Sequence, residues 1–293
     1  MATNNEYVVN ANNVNKRYGD HQALKNINFS IEPGRIVGLI GPNGAGKTTL
    51  LKGLLGLASV EGELSVLGFN PAKQRTQLIE QVSFIADTAI MPRWLKVSQA
   101  VDYVAGVHPR FNREKAQYFL AKTNIKPSSR ISALSKGMIT QLHLALVMAI
   151  DSRLLVLDEP TLGLDIVYRK QFYNALLSDY FDEQKTIVIT THQVEEIENI
   201  LTDLMFINGG ELVLDLPMES VAERFTELSV SNAQKAAVEQ AGYRAISEQQ
   251  RLGGVSMLFE NVSSELLAPF GQVRTPTIAD LFVAKVNPTQ VGA

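Results

Sequence analysis

Two stretches of this chain carry residue types spaced for phosphate chemistry. Gly41-Pro42-Asn43-Gly44-Ala45-Gly46-Lys47-Thr48-Thr49 fits the pattern G-x-x-x-x-G-K-[ST]. Its glycines allow successive backbone N–H groups to turn inward as a nest for a β-phosphate. Lys47 is spaced to bridge β- and γ-phosphates, and the Thr48 hydroxyl to ligate Mg²⁺. The second stretch, Leu154-Leu155-Val156-Leu157-Asp158-Glu159-Pro160, runs an apolar segment into two carboxylates. Asp158 suits a water-mediated hold on Mg²⁺, and Glu159 suits polarising an attacking water as general base. Together the two stretches predict a site for a nucleoside triphosphate.

Such residues act only if the right elements hold them. Arg35-Ile36-Val37-Gly38-Leu39-Ile40 reads as a buried strand before the glycine loop, and residues 49–55 as a helix after it. A helix starting near Lys47 adds the positive end of its dipole. A buried parallel strand over 154–157 puts both acids at the carboxyl edge of a sheet, where doubly wound folds bind ligands. Another β-branched run, 187–191, ends at His192. Residues 8–14 and 26–31 read as strands, and 97–107 and 113–121 as helices with apolar residues three and four apart. The strand expected over 204–208 closes on the turn Asn208-Gly209-Gly210. Glu195-Glu196-Ile197-Glu198 reads as a solvated helix face. Beyond Val213, strands are expected over 225–230 and 255–259 and a helix over 233–240. A final helix over 277–286 completes a small α+β unit of split β-α-β type.

Between the two chemical stretches, Leu134-Ser135-Lys136-Gly137-Met138 precedes an apolar helical run. Here the chain resembles the nucleotide-binding subunits of ABC transporters. It matches the family signature LSGGQ at Leu134, Ser135 and Gly137 and departs from it at Lys136 and Met138. Departures of this kind occur in the subfamilies that export drugs, lipids or polysaccharides. Ser135 can cap a helix, and Gly137 permits close backbone approach to an anion at the helix start. The resemblance implies roles for further residues. Tyr18 falls where the family stacks an aromatic on adenine, Gly163-Leu164-Asp165 matches the D-loop, and His192 matches the switch histidine that contacts the γ-phosphate. Asp87, after Val82-Ser83-Phe84-Ile85-Ala86, takes the place of the family's glutamine and is expected to keep its contact with Mg²⁺ or water.

The resemblance also implies an α/β P-loop NTPase core of the ABC type, a mixed sheet with flanking helices, over 1–87 and 151–213. A helical subdomain over 88–150 carries the signature, and residues 214–293 form the α+β appendage. The implied mechanism is a head-to-tail dimer around two ATP molecules, a homodimer or a heterodimer with a second ATPase subunit. Ser135 and Gly137 of one copy complete the site of the other. A transmembrane permease is the implied partner, with this subunit peripheral on the cytoplasmic face.

Composition sets bounds. The chain has 293 residues, a formal charge of −3 and no cysteine. That balance argues against a nucleic-acid surface, and the lack of cysteine suits a reducing compartment. No apolar run reaches the roughly 20 residues a spanning helix needs, and the first residues, Met1-Ala2-Thr3-Asn4-Asn5-Glu6, lack the blocks of a signal peptide. A non-transport ABC-type ATPase acting in a soluble assembly remains the alternative. A guanine-reading switch is disfavoured because no [NT]-K-x-D run occurs.

Overall fold

A computed structural model describes residues 7–86 and 91–286. Strands β1 (Val9–Tyr18) and β2 (His21–Ile31) form a long antiparallel hairpin, longer at its tip than the sequence pattern suggests. Then come β3 (Ile36–Ile40), α1 (Lys47–Leu54), β4 (Glu61–Val66), α2 (Arg75–Ile79) and β5 (Val82–Ile85). The helical segment holds α3 (Val97–Val107), α4 (Arg113–Ala121) and α5 (Lys136–Met148). The chain re-enters the sheet with β6 (Leu154–Asp158), α6 (Ile166–Ala175), β7 (Thr186–Thr191), β8 (Asp203–Asn208) and β9 (Glu211–Pro217). The last segment contains α7 (Ser220–Arg224), β10 (Phe225–Val230), α8 (Asn232–Gln240), β11 (Ser247–Arg251) and β12 (Gly254–Glu260). It closes with α9 (Ser264–Leu267), β13 (Gln272–Arg274) and α10 (Ile278–Val286).

The central sheet has the order β5-β6-β7-β3-β8-β9, parallel except for β9. Every residue of β3, β6 and β7 is buried, which is why β3 and most of β6 read as apolar runs and β7 as a β-branched run, none of them alternating. Because β6, β7 and β3 are neighbours, the loops leaving their carboxyl ends converge. The glycine loop follows β3, Glu159 follows β6, and His192 follows β7.

A second antiparallel sheet, β2-β1-β4, covers α1. Leu50, Leu51 and Leu54 of α1 share one apolar cluster with Val9 and Ile27 of that sheet and Val37 and Val156 of the central one. On the opposite face, Leu155, Leu157, Ile187 and Ile189 pack with α5 and α6 residues. Among the described residues no helix is long and apolar enough to cross a membrane.

In the C-terminal sheet, β11-β12-β10-β13, β12 lies antiparallel between β10 and β11. β10, α8 and β11 therefore make the split β-α-β unit expected from the sequence. α8 begins with a capping box, the Ser231 hydroxyl accepting from the Gln234 amide and the Gln234 side chain accepting from the Ser231 amide. β9 carries the central sheet to Pro217, past the boundary read at Val213.

Candidate functional site

The glycine loop is shaped by conformations that only glycine adopts cheaply. Gly44 (φ +79°) and Gly46 (φ +112°) are both left-handed. A Cβ on Gly46 would lie 2.7 Å from the Ala23 carbonyl, and one on Gly41 would lie 2.4 Å from that of Ile207. The Gly210 amide braces the loop from outside by donating to the Ala45 carbonyl at 2.9 Å. Lys47 at the start of α1 is buried. Its ammonium donates to the carbonyl oxygens of Gly41 (2.6 Å) and Pro42 (3.2 Å). Burial pushes its pKa below the usual lysine value, while the charges of Glu159 and Asp158 pull the other way.

Across the loop stand the two acids. Asp158 is 2% exposed and held by two hydroxyls. Thr48 Oγ1 donates to its Oδ2 at 3.0 Å, and Thr190 Oγ1 to its Oδ1 at 2.5 Å. Glu159 has φ +49°, a left-handed conformation that costs a non-glycine residue about 1–3 kcal/mol. Its amide is anchored by both the carbonyl and the hydroxyl of Thr190, each at 3.1 Å. That turn aims the Glu159 carboxylate at His192, whose Nδ1 lies 2.8 Å from Oε2. A carboxylate so placed can take a proton from water, and the half-exposed imidazole can still reach a ligand. The hydroxyl of Thr48 and the carboxylate of Asp158 are hard oxygen donors, a set that fits Mg²⁺.

The cleft between these groups has a volume of about 310 Å³. Tyr18 and His21 stand at one end, the loop from Asn43 through Thr49 at the other, with Asp158 and Glu159 on the wall. Tyr18 is exposed, and the Lys16 ammonium lies 4.9 Å from its ring centroid. The other predicted residues lie elsewhere. Ser135 caps α5, accepting from the Met138 amide at 3.2 Å. A Cβ on Gly137 would lie 3.3 Å from the Gly163 carbonyl, so signature and D-loop touch within this chain. Asp165 caps α6, accepting from the amides of Val167 and Tyr168 at 3.0 Å. Asp87 lies outside the described residues.

Thr190 was missed by sequence reasoning, although it ties both acids to β7. No local signal singled it out, because β7 (TIVITT) buries two further threonines, Thr186 and Thr191. The charge run after His192 also needs correction. It forms short 3₁₀ turns, Val194–Glu196 and Glu198–Ile200, rather than a solvated helix. Ile197 is fully buried, and Glu196 is mostly buried with an Arg169 ion pair at 2.7 Å. Arg169 also bonds Gln193 and the Leu164 carbonyl, tying the segment after His192 to α6 and the D-loop.

A glycine loop on a helix start, facing two acids on the next parallel strand but one, defines a P-loop nucleotide triphosphatase. Comparison with known proteins narrows the class. The family model for ABC transporter matches residues 24–162. The Nod factor export ATP-binding protein I of Burkholderia orbicola is 36% identical over 211 residues, covering 69% of this chain and 68% of that protein. The manganese transport system ATP-binding protein MntB of Halalkalibacterium halodurans is 30% identical over 232 residues, covering 73% and 88%. A solved ATP-binding subunit of an ABC transporter superposes with a TM-score of 0.67 at 22% identity, covering 74% of this chain and 92% of that one. The chain belongs to the family of ABC transporter ATP-binding proteins. It is an ATP-binding subunit of the ATPase class coupled to transport, a class that works with transmembrane permease components.

Proposed function

We propose that this chain hydrolyses ATP as a dimer and thereby powers export through a separate permease. The observation that carries the proposal is the convergence of Lys47, Thr48, Asp158 and Glu159 on one cleft from parallel strands, with His192 bonded to Glu159 from the strand between them. In this reading the adenine stacks on Tyr18. The amides of Gly44 to Thr49 and the Lys47 ammonium surround the phosphates. Thr48 and Asp158 would hold Mg²⁺, which when bound would supply charge neutralisation on the phosphate oxygens. Asp87 contributes a further oxygen to that ion or to its water.

Glu159 takes the proton of the attacking water, and its bond to His192 keeps the carboxylate aimed at the γ-phosphate side of the cleft. Thr190 keeps the Glu159 backbone in its turn, so the base moves little during reaction. Positioning and electrostatics carry most of the catalysis in phosphoryl transfer. Ser135 and Gly137 lie at the start of α5, away from this chain's own cleft. A C₂ arrangement of two copies gives them a γ-phosphate to meet, with Asp165 at the crossing. Loss of that phosphate on hydrolysis removes the contact that favours the closed pair. Exposed Leu162, Ile166 and Val167 beside the D-loop support a covered surface there. Several relatives are named for Nod factor export, which supports the outward direction. The working location in this reading is the cytoplasmic face of a membrane.

Two measurements test the reading. Size-exclusion chromatography of the Glu159→Gln variant with Mg-ATP is expected to give a dimer, and without nucleotide a monomer. A monomer in both cases would reject the dimeric site. Mild detergent co-purification is expected to recover a multi-span membrane protein; repeated recovery of soluble partners alone would reject the permease.

A further inference from the structure

The last helix among the described residues, α10, touches both arms of the nucleotide site. α10 buries Ile278, Leu281 and Ala284 in the same apolar cluster as Val194 and Ile197, the segment that directly follows His192. Its Phe282 ring meets Phe206 of β8 edge-on, with centroids 5.2 Å apart. The final carbonyl of α10, on Val286, accepts from the Asn208 side chain at 3.4 Å. Asn208 opens the β8–β9 turn whose Gly210 amide braces the phosphate loop at Ala45. That turn has no slack: Gly210 is at φ +85°, and a Cβ there would lie 2.9 Å from the Ala23 carbonyl.

The other side of α10 is held by the C-terminal sheet. Asp280 is bonded by Arg251 (3.3 Å), lies 3.8 Å from Arg274, and accepts from the Thr277 hydroxyl at 2.8 Å. Lys285 pairs with Glu260 at 2.8 Å, and Phe225 and Leu258 join the apolar cluster under the helix. A rigid helix gripped by one unit and packed on two loops of another passes strain from the first to the second.

We propose that α10 is a strut by which the C-terminal sheet sets the position of His192 and of the turn bracing the phosphate loop. Phe282 and Asp280 are its positioning residues. The inference rests on the reading of His192 and the phosphate loop as the site of ATP chemistry. It goes beyond that reading by making the appendage a determinant of turnover rather than a cap. Any partner that loads the C-terminal sheet acts on ATP hydrolysis through this helix.

Hydrogen exchange of the full chain, read by mass spectrometry on Phe282→Ala and Asp280→Asn, tests the coupling without depending on activity. Exchange at the amides of Glu196, Ile197 and Gly210 is expected to speed up about tenfold, while α4 stays at its wild-type rate. Phe282→Leu, which keeps most of the volume, is expected to restore protection. Steady-state kinetics on the same variants should show kcat falling about tenfold with a smaller change in KM for ATP. Faster exchange confined to α10 and the C-terminal sheet, with Glu196, Ile197 and Gly210 unmoved, would overturn the strut. So would uniform loosening of the whole chain. Asp280→Asn keeps the side chain's size while removing its charge and one acceptor, so it reports even if Phe282→Ala does not fold. A wild-type chain that fails to hydrolyse ATP would count against the proposed function, while the exchange pattern still decides the coupling.

Discussion

The nucleotide cleft and the C-terminal sheet each bury a carboxylate, and they hold it by opposite means. Glu227 of β10, 2% exposed, is clamped by Arg274 through two bonds of 2.8 and 2.9 Å and receives the Ser256 hydroxyl. Asp158, equally buried, receives only hydroxyls from Thr48 and Thr190. The nearby cation, Lys47, spends its bonds on backbone carbonyls instead. A buried charge is costly unless paired. The appendage solves that problem internally, which makes it a finished structure. The cleft leaves the Asp158 carboxylate to two hydroxyl donors, the arrangement that the proposed function assigns to a cation site.

That contrast can be broken from either side. Glu159→Gln is expected to cut phosphate release by about 10²- to 10⁴-fold, the range for losing a general base, with little change in thermal midpoint. Unchanged turnover would remove Glu159 from that role. Arg274→Ala should act chiefly on stability. Leaving Glu227 buried without its partner costs about 3 kcal/mol, read by urea unfolding. A loss under 1 kcal/mol would show that the clamp contributes little. Thr190→Val deletes the hydroxyl shared by Asp158 and the Glu159 amide, and about 2 kcal/mol of stability is expected to go with it. Turnover should fall as well, because both acids lose their anchor to β7; wild-type kcat would deny Thr190 its part.

Two smaller effects sharpen the comparison. Tyr18→Ala is expected to weaken ATP binding about tenfold, the scale of one base–aromatic stack, with kcat nearly unchanged. Equal affinity in an equilibrium titration would place the base elsewhere. Arg113→Ala breaks an exposed pair with Asp102 on the helical segment and should cost under about 1 kcal/mol. A larger loss would mean that the segment depends on its surface charges.

The parts of the site legible in the sequence were those packed into contiguous motifs. The phosphate loop and the acids at the end of β6 read directly, because strand, loop and helix follow one another along the chain. What brings them together is the strand order β6-β7-β3, a product of long-range pairing that no local pattern encodes. Thr190 was invisible for the same reason, since its value lies in a neighbouring strand. β11 (SEQQR) was missed because it has no apolar residue to alternate, and β13 (QVR) because three residues are too few to show a period. The 195–198 run misled because charge suggested exposure, whereas Arg169 draws Glu196 inward and α10 covers Ile197. Of the split β-α-β unit, β10 and α8 were readable from strong local signals, as was β12 beside them, whereas its second parallel strand, β11, was not.

The central claim of the proposed function is that the Asp158 carboxylate holds the metal that arrives with the nucleotide. Calorimetric titration of ATP, with Mg²⁺ and with chelator, on the wild-type chain and on Asp158→Asn tests it most directly. Mg²⁺ is expected to tighten wild-type binding by about tenfold or more, roughly 1.4 kcal/mol, and the variant is expected to lose that gain while binding ATP similarly in chelator. Equal affinities with and without Mg²⁺ in the wild type, or a full gain retained in Asp158→Asn, would contradict the account.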